Sequence, residues 1–526
     1  MSWTGWLILI LIIQVIHFLG TWKLYIKAGR QAWEALVPVY NAVILMKIIN
    51  RPWWWTILLF VPIVNLIMFP VLWVETLRSF GKNTYLDTAL GILTCGLYIY
   101  YVNYTQDVTH IKERSLKPKS SSGEWTSAIL FAVVAATIVH TYVMQPFTIP
   151  TSSLEKTLLV GDFLFVSKFH YGARAPKTTI SLPMVHDTIP WFKKKSYFSG
   201  LEFPYFRMPG FQKIQRNDIV VFSWPVDTLV NITPGVQSEA AYKPIDKKSN
   251  YVKRCVGIPG DSLEVRDGYV FIDGKPNDLP DRAKLQFAYG FRTNGQMSPK
   301  IFEERYDITD GIGLDQELNA YYLPAVSDEA LVKLKSNPMI TEVFPYKKEK
   351  GKRDIGVFPQ DENYAWNADN FGPLYIPKAG ATVAITQKTL PLYKRIIEVY
   401  EGSELGIDNK ISLNDTLVLL NGAPLTEYTF IMDYYWMMGD NRNNSQDARM
   451  WGFVPFNHVV GKPVLVWASF DDTDKGLLNW KPRWERFFTT VKGEGKATSY
   501  LWLAVLVIVG LFGWDFYRRR KRKSKA

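Results

Sequence analysis

Cysteine is nearly absent. The 526 residues hold two, Cys95 in a long apolar run and Cys255 in the region expected to be soluble, so no disulfide framework is expected and neither a CxxC nor a zinc spacing exists. The six histidines form no HExxH, and the count of potential ligands argues against a metal site. No basic residue precedes the first apolar run, 3–20, the first being Lys23, and no small-x-small site follows it; a retained helix is expected in place of a cleaved leader. Acidic residues are the minority, 49 against 61, giving a net charge of +12. Nucleic-acid binding is the plain reading of such an excess. The densest basic cluster, 518–525, directly follows an apolar run, however, and reads instead as a cytoplasmic anchor.

Apolar residues are plentiful at 48% and aromatics at 15%, as in chains with membrane spans. Five runs are long enough to be spanning candidates: 3–20, 53–74 (opened by Trp53, Trp54 and Trp55 and containing Pro62 and Pro70), 86–101, 126–144 and 499–514. The stretch 35–49 is short, contains Pro38 and reads as a surface-lying or re-entrant helix. Basic residues number five in 21–52, four in 105–125, two in 76–86 and seven in 517–526. Putting the richer flanks in the cytoplasm lets five spans alternate, with the N-terminus and 145–497 outside. The expected organisation is then a helical membrane module with about three spans, 1–104, read as an anchor; a polar cytoplasmic linker, 105–125; a span, 126–144; an outer domain, 145–497; a last span, 498–516; and a basic cytoplasmic tail, 517–526.

The outer region is strand-rich. Residues 219–225, IVVFSWP, suit a buried strand ending at proline. Residues 261–276 alternate and carry Asp-Gly at 267–268 and 273–274, a hairpin signal; 412–424 is a similar strand ending in Asn-Gly. Between them, about 280–410 is mixed in character and reads as an inserted cap. Two aromatic patches, 191–211 with its lysines and Trp467/Trp480/Trp484, are either ordinary packed rings or surfaces that lean on a lipid leaflet.

Three strings carry chemistry. FTIPTSSLEKTLLVGD (147–162) follows directly on the fourth apolar run and puts Ser153 a few residues beyond it; YVKRCVGIPGD (251–261) carries Lys253; MMGDNRNNSQDARMWGFVP (437–455) closes the set. In that order they resemble the conserved boxes of bacterial type I signal peptidase, a serine protease family with a Ser/Lys dyad, and RNDIVVF (216–222) resembles a further box. The resemblance covers about 145–275 and 430–470. It implies a mostly β signal-peptidase-like catalytic domain, here with an inserted cap and several transmembrane helices as anchor. It also implies Ser153 as nucleophile, Lys253 as general base, and an oxyanion hole from the Thr151 hydroxyl and the Ser153 backbone N–H. Ser445 would orient the lysine, Asp447 and Arg449 would form a supporting ion pair, and Tyr251 would flank the base. Asp218 matches the further box, with Asn217 where glycine is usual.

A free lysine titrates near ~10.4, so a lysine base must be buried to be neutral. Tyr251, Val252, Cys255, Val256 and Ile258 supply apolar surroundings, and Arg254 must face the other side of the strand. Against the usual box Pro-Ser-Gly-Ser-Met-x-Pro-Thr-Leu, the chain has Thr151 for serine, Ser152 for glycine, Leu154 for methionine and Lys156 for proline. Ser153-Leu154-Glu155-Lys156 also satisfies S-x-x-K, but neither S-D-N nor K-T-G follows.

The implied reaction is endoproteolytic removal of signal peptides from secreted precursors through an acyl-enzyme, with small residues at −1 and −3 and no cofactor. Implied partners are signal-peptide-bearing precursors and membrane lipids, not nucleic acid, near the secretion translocon; the implied location is the bacterial cytoplasmic membrane, with the domain outside. The alternative from another class is a non-catalytic membrane scaffold or chaperone that keeps this fold.

Overall fold

The structure, a computed structural model, describes residues 2–523 apart from 119, 228–241, 296, 415–416, 472 and 474–475. Part of the expected linker (Lys119), of the Asn-Gly hairpin (415–416) and of the basic tail (524–526) thus lies outside the described residues. Two units form: Met1–Val143 with Arg174–Arg207 and Tyr242–Lys247, and Met144–Ala173 with Met208–Ala241 and Lys248–Ala526. Residues 174–207, expected within the outer domain, therefore cluster with the N-terminal helices.

In the first unit, Ser2 caps the helix Trp3–Lys27 by accepting the Gly5 N–H. The stretch 35–49 holds only a nine-residue helix, Tyr40–Ile48, about 14 Å long and too short to span. Ile44, Met46 and Ile49 are completely buried, so one side of this helix packs into the unit, while Tyr40 and Lys47 stay exposed. The run 53–74 is broken: Pro62 separates Trp55–Leu58 from Val64–Ser79, and Ile63 takes φ 70° at the break. The run 86–101 is a bent pair, Tyr85–Leu93 and Tyr98–Thr105, at 118°. Among the described residues, three helices are long and apolar enough to cross a membrane: Trp3–Lys27, Ser121–Val143 and Leu501–Arg518, or four if the bent pair is one span.

The segment 111–114 is tied to the same unit. Ile111 N–H donates to Ser79 O, and Arg114 reaches the buried Glu75, which also holds Arg51. The hairpin Thr178–Ser181/Tyr197–Glu202 completes this unit; Trp6 Nε1 donates to Glu202 O, and Trp3 and Trp6 set their rings edge-on to Phe203. Trp191 and Phe192 stand almost fully exposed and are not packed rings.

The second unit is built on an antiparallel sheet in the order Met144–Thr148, Asp162–Ser167, Val459–Asp471, Ile219–Ser223, Asn250–Gly257, Tyr434–Met438, Val454–Pro455. Two of its strands are covered on both faces: all five residues of Ile219–Ser223 and of Tyr434–Met438 are buried. The Asp-Gly pairs make the expected tight turns, with φ 52° and 85° at 267–268 and 50° and 78° at 273–274. The cap is smaller and more definite than the expected 280–410. Four strands in the order Gly313–Asp315, Ala320–Val326, Phe287–Thr293, Ile340–Pro345 join the helices Pro299–Tyr306 and Asp328–Lys335 over a core of its own, including Phe291, Phe302, Leu323 and Leu334. Residues 357–400 contribute Val357, Phe371, Ile385, Tyr393 and Tyr400 to the core that holds Trp436 and Phe453. Trp467 and Trp480 pack with Phe163, Phe165 and Phe470, whereas Trp484 remains exposed.

Candidate active site

Ser153 lies in one 3₁₀ turn, Ser152–Leu154, entered from an extended Thr151. Leu154 and Leu158 are buried beside Ile149, Leu164 and Val166, so apolar anchors on both sides fix the turn against the sheet. Lys253 is mid-strand in Asn250–Gly257, opposite Val220 on the neighbouring strand. The two side chains, 100 residues apart in sequence, meet: Lys253 Nζ is 2.5 Å from Ser153 Oγ. Ser153 is 8% exposed and Lys253 4%.

Burial drives the Lys253 ammonium down from 10.5 to about 8, and Arg449 adds to this; the charges of Asp447 and Asp440 act against it from a distance. Among the described residues no carboxylate makes an ion pair with the lysine. Tyr251, two residues earlier on the same face, puts its ring centroid 5.6 Å from Nζ; it stacks on Trp224 at 5.1 Å and meets Trp451 edge-on at 5.5 Å. This aromatic wall is what keeps the amine dry.

Asp447 and Arg449 are fully buried and joined by two side-chain hydrogen bonds, of 2.9 and 2.8 Å, and by the Arg449 backbone N–H at 3.2 Å. Burial alone would raise the Asp447 carboxyl; the Arg449 charge and hydrogen bonds, with the Gly439 N–H, outweigh it and hold it low. Arg449 also donates to Arg442 O and Ala368 O, which pins the loop after Tyr434–Met438. Asn217 sits at φ 68°, the left-handed region that asparagine tolerates in place of glycine. Asp218 accepts from Tyr171, Lys462 and Lys492.

One expectation needs adjusting. The expected bond from Ser445 to Lys253 is not formed: Ser445 Oγ is buried without a partner among the described residues. It packs against Gly439, where an added Cβ would fall 2.3 Å from Ser445 Oγ and 2.6 Å from Ser153 O. The Ser445 hydroxyl is thus left free beside the Lys253–Ser153 pair. Thr151 is exposed and its side chain caps no backbone N–H, so its hydroxyl is not consumed within the loop. Lys156 is directed away from the nucleophile in an ion pair of 2.8 Å with Asp307, so the S-x-x-K arrangement does not form.

Sequence reasoning missed the residues that hold the nucleophile turn. Asn441 donates from its backbone N–H to Ser153 O (3.2 Å) and from Nδ2 to Ser152 O (3.3 Å). Asp440 takes Thr157 Oγ1 at 2.7 Å and both arms of Arg254. Both lie inside the third string, but a string does not say which side chain reaches which backbone.

The sequence profile of the family "Signal peptidase, peptidase S26" matches residues 122–307 and 339–468, well over half of the chain. The chain belongs to that signal peptidase family. Signal peptidase I of Rickettsia canadensis is 31% identical over 366 residues, 69% of this chain and 86% of the relative. The enzymes of Haemophilus influenzae (24% over 399 residues; 72% and 79%) and Helicobacter pylori strain J99 (25% over 382; 71% and 92%) are also similar. Residues 308–338, in the cap, fall between the two matched segments. Residues 33–113 match a separate family of unknown function, DUF5684, so the membrane module is an addition to the signal peptidase part.

Proposed function

We propose that this S26 family member is a membrane-bound endopeptidase that removes signal peptides from secreted precursors, with Ser153 as nucleophile and Lys253 as general base. The observation that carries the residue assignment is the 2.5 Å approach of a buried amine, free of any contacting carboxylate, to a buried hydroxyl. With the amine at about 8, roughly a tenth of the enzyme holds it neutral at pH 7, against less than one part in a thousand for a free lysine. The neutral Nζ takes the Oγ proton as Oγ attacks the scissile carbonyl. The Thr151 hydroxyl and the Ser153 N–H receive the oxyanion. The ammonium then protonates the leaving amine, and the freed Nζ activates the water that hydrolyses the acyl-enzyme. Asp447, Arg449 and Tyr251 hold and shield the base, and the unused Ser445 hydroxyl is available to orient it once substrate arrives.

The domain is assigned to the outer face of the bacterial cytoplasmic membrane, next to the translocon from which precursors emerge. The basic flanks support this orientation, as does the meeting of Trp3 and Trp6, at the start of the first helix, with the hairpin residues Glu202 and Phe203.

The test is cleavage of a precursor with an Ala-x-Ala site by the full chain in liposomes. Wild type is expected to cleave, and Ser153→Ala and Lys253→Ala each to lose at least ~10⁴-fold in kcat. No cleavage by any form would favour the scaffold or chaperone alternative.

A further inference from the structure

The cap reaches the nucleophile turn through one acidic loop. After the helix Pro299–Tyr306 the chain passes Asp307 and Asp310 before the strand Gly313–Asp315. Asp310 belongs to 308–338, the stretch outside the family match, and Asp307 is the last residue before it. Asp310 Oδ2 accepts from Nδ2 of both Asn441 and Asn444, the latter at 3.0 Å. Those same amides hold the turn: Asn441 Nδ2 on Ser152 O at 3.3 Å, and Asn444 Nδ2 on Ser152 Oγ at 3.2 Å. Asp307 Oδ1 is 2.8 Å from Lys156 Nζ.

The two positions reached in this way are two at which the chain departs from the usual box. Ser152 replaces a glycine, and its hydroxyl is the atom Asn444 holds. Lys156 replaces a proline and sits at φ 67°, which a proline ring cannot adopt, so the turn leaves the nucleophile by another path and without the ring's stiffness. An amide side chain with no second partner can swing between rotamers; a carboxylate that collects both amides fixes them together. Asn441 is completely buried, so its orientation decides where Ser152 O sits.

We propose that the cap loop 307–310 is a clamp on the nucleophile turn. Asp310 is a positioning residue that acts through Asn441 and Asn444, and Asp307 steadies Lys156 beside it. The clamp compensates, from the cap, for the lost glycine and proline, and makes the cap necessary for turnover in this chain. A displacement of Ser153 Oγ by about 1 Å is enough to cost ~10²-fold in rate, so even a partial release of the turn is visible in kcat. This inference rests on the protease reading, and its test has a second readout that does not.

The experiment uses the full chain in liposomes, with kinetics on the Ala-x-Ala precursor and hydrogen exchange of the amides of 152–158. Asp310→Ala is expected to lower kcat about 10-fold with KM within about twofold, and to speed exchange of those amides about 10-fold while amides of Asn250–Gly257 stay protected. Lys156→Asp and Asp307→Lys are each expected to lower kcat two- to threefold, and the double exchange to restore it. If Asp310→Ala loses its fold, the charge exchange decides: single losses that the double does not restore overturn the clamp. Wild-type cleavage with Asp310→Ala unchanged in both kcat and exchange overturns the clamp and leaves the protease reading standing. A wild type that cleaves nothing, yet whose turn loosens in Asp310→Ala, overturns the protease reading and leaves the clamp standing.

Discussion

Lys253 and Arg254 are neighbours on one strand and live opposite lives. Arg254 turns to the side where Asp440 meets it with both oxygens, at 2.7 and 2.6 Å, and Asn217 O takes a third bond. Lys253 turns to the other side and meets an aromatic ring, a serine hydroxyl and no carboxylate. Lys248, just before the strand, repeats the first pattern: it is buried against Glu404, which also holds His458. Of these three buried cations only Lys253 lacks a contacting carboxylate among the described residues and meets the Ser153 hydroxyl; the neighbouring Lys247, also buried, donates instead to Ser181 and to two backbone carbonyls. A contacting carboxylate works against burial, as Glu404 does at Lys248, where burial still pushes the ammonium down; at Lys253 only the more distant charges of Asp447 and Asp440 oppose it.

The comparison can be broken first on the paired side. Asp440→Ala strands Arg254 in the interior without its partner and also frees Thr157; we expect a loss of about 3–5 kcal/mol of stability, read from the denaturation midpoint. On the unpaired side the sign reverses. Lys253→Met is expected to abolish cleavage and yet to stabilise the protein at pH 7 by up to about 3 kcal/mol, since burying the charged amine costs that much. The folded value, about 8, lies below the unfolded one, so between pH 8 and 10.5 the unfolded wild type binds more protons and wild-type stability rises with pH. The advantage of the methionine is therefore full below pH 8 and gone near 10.5, which thermal melts across that range would show. A third substitution sharpens the contrast by moving the serine instead of the base. Gly439→Ala puts a Cβ against Ser153 O and Ser445, and we expect kcat to fall about 10²-fold with a smaller change in stability.

How much of this could be read from the sequence follows from the range of each interaction. That Ser153 and Lys253 would come together was legible because motif order supplied what spacing could not. Arg254 facing away followed from strand alternation alone, and the Asp-Gly turns from the left-handed preference of those two residues. The break at Pro62 was signalled by the proline, but not that the run 86–101 folds back on itself at 118°. The hidden parts are long-range polar contacts. Nothing in the apolar pattern says that Arg114 is bound to Glu75, or that residues 174–207 cluster with the first helix. Asp310 is an ordinary acid in a mixed segment until the fold brings two asparagine amides to it. Ser445 fails in the opposite direction: the motif implied a bond to the lysine, and the fold leaves that hydroxyl buried without a partner among the described residues.

The most direct measurement is the pH dependence of kcat/KM on an Ala-x-Ala precursor, which reports the ionisation of the free enzyme. A base held at about 8 by burial predicts a rise of tenfold per pH unit below that value and a plateau above it, with the limb absent from any residual activity of Lys253→Ala. A limb near 10.4, or a profile flat from pH 6 to 10, would contradict a buried neutral lysine as the group that activates Ser153.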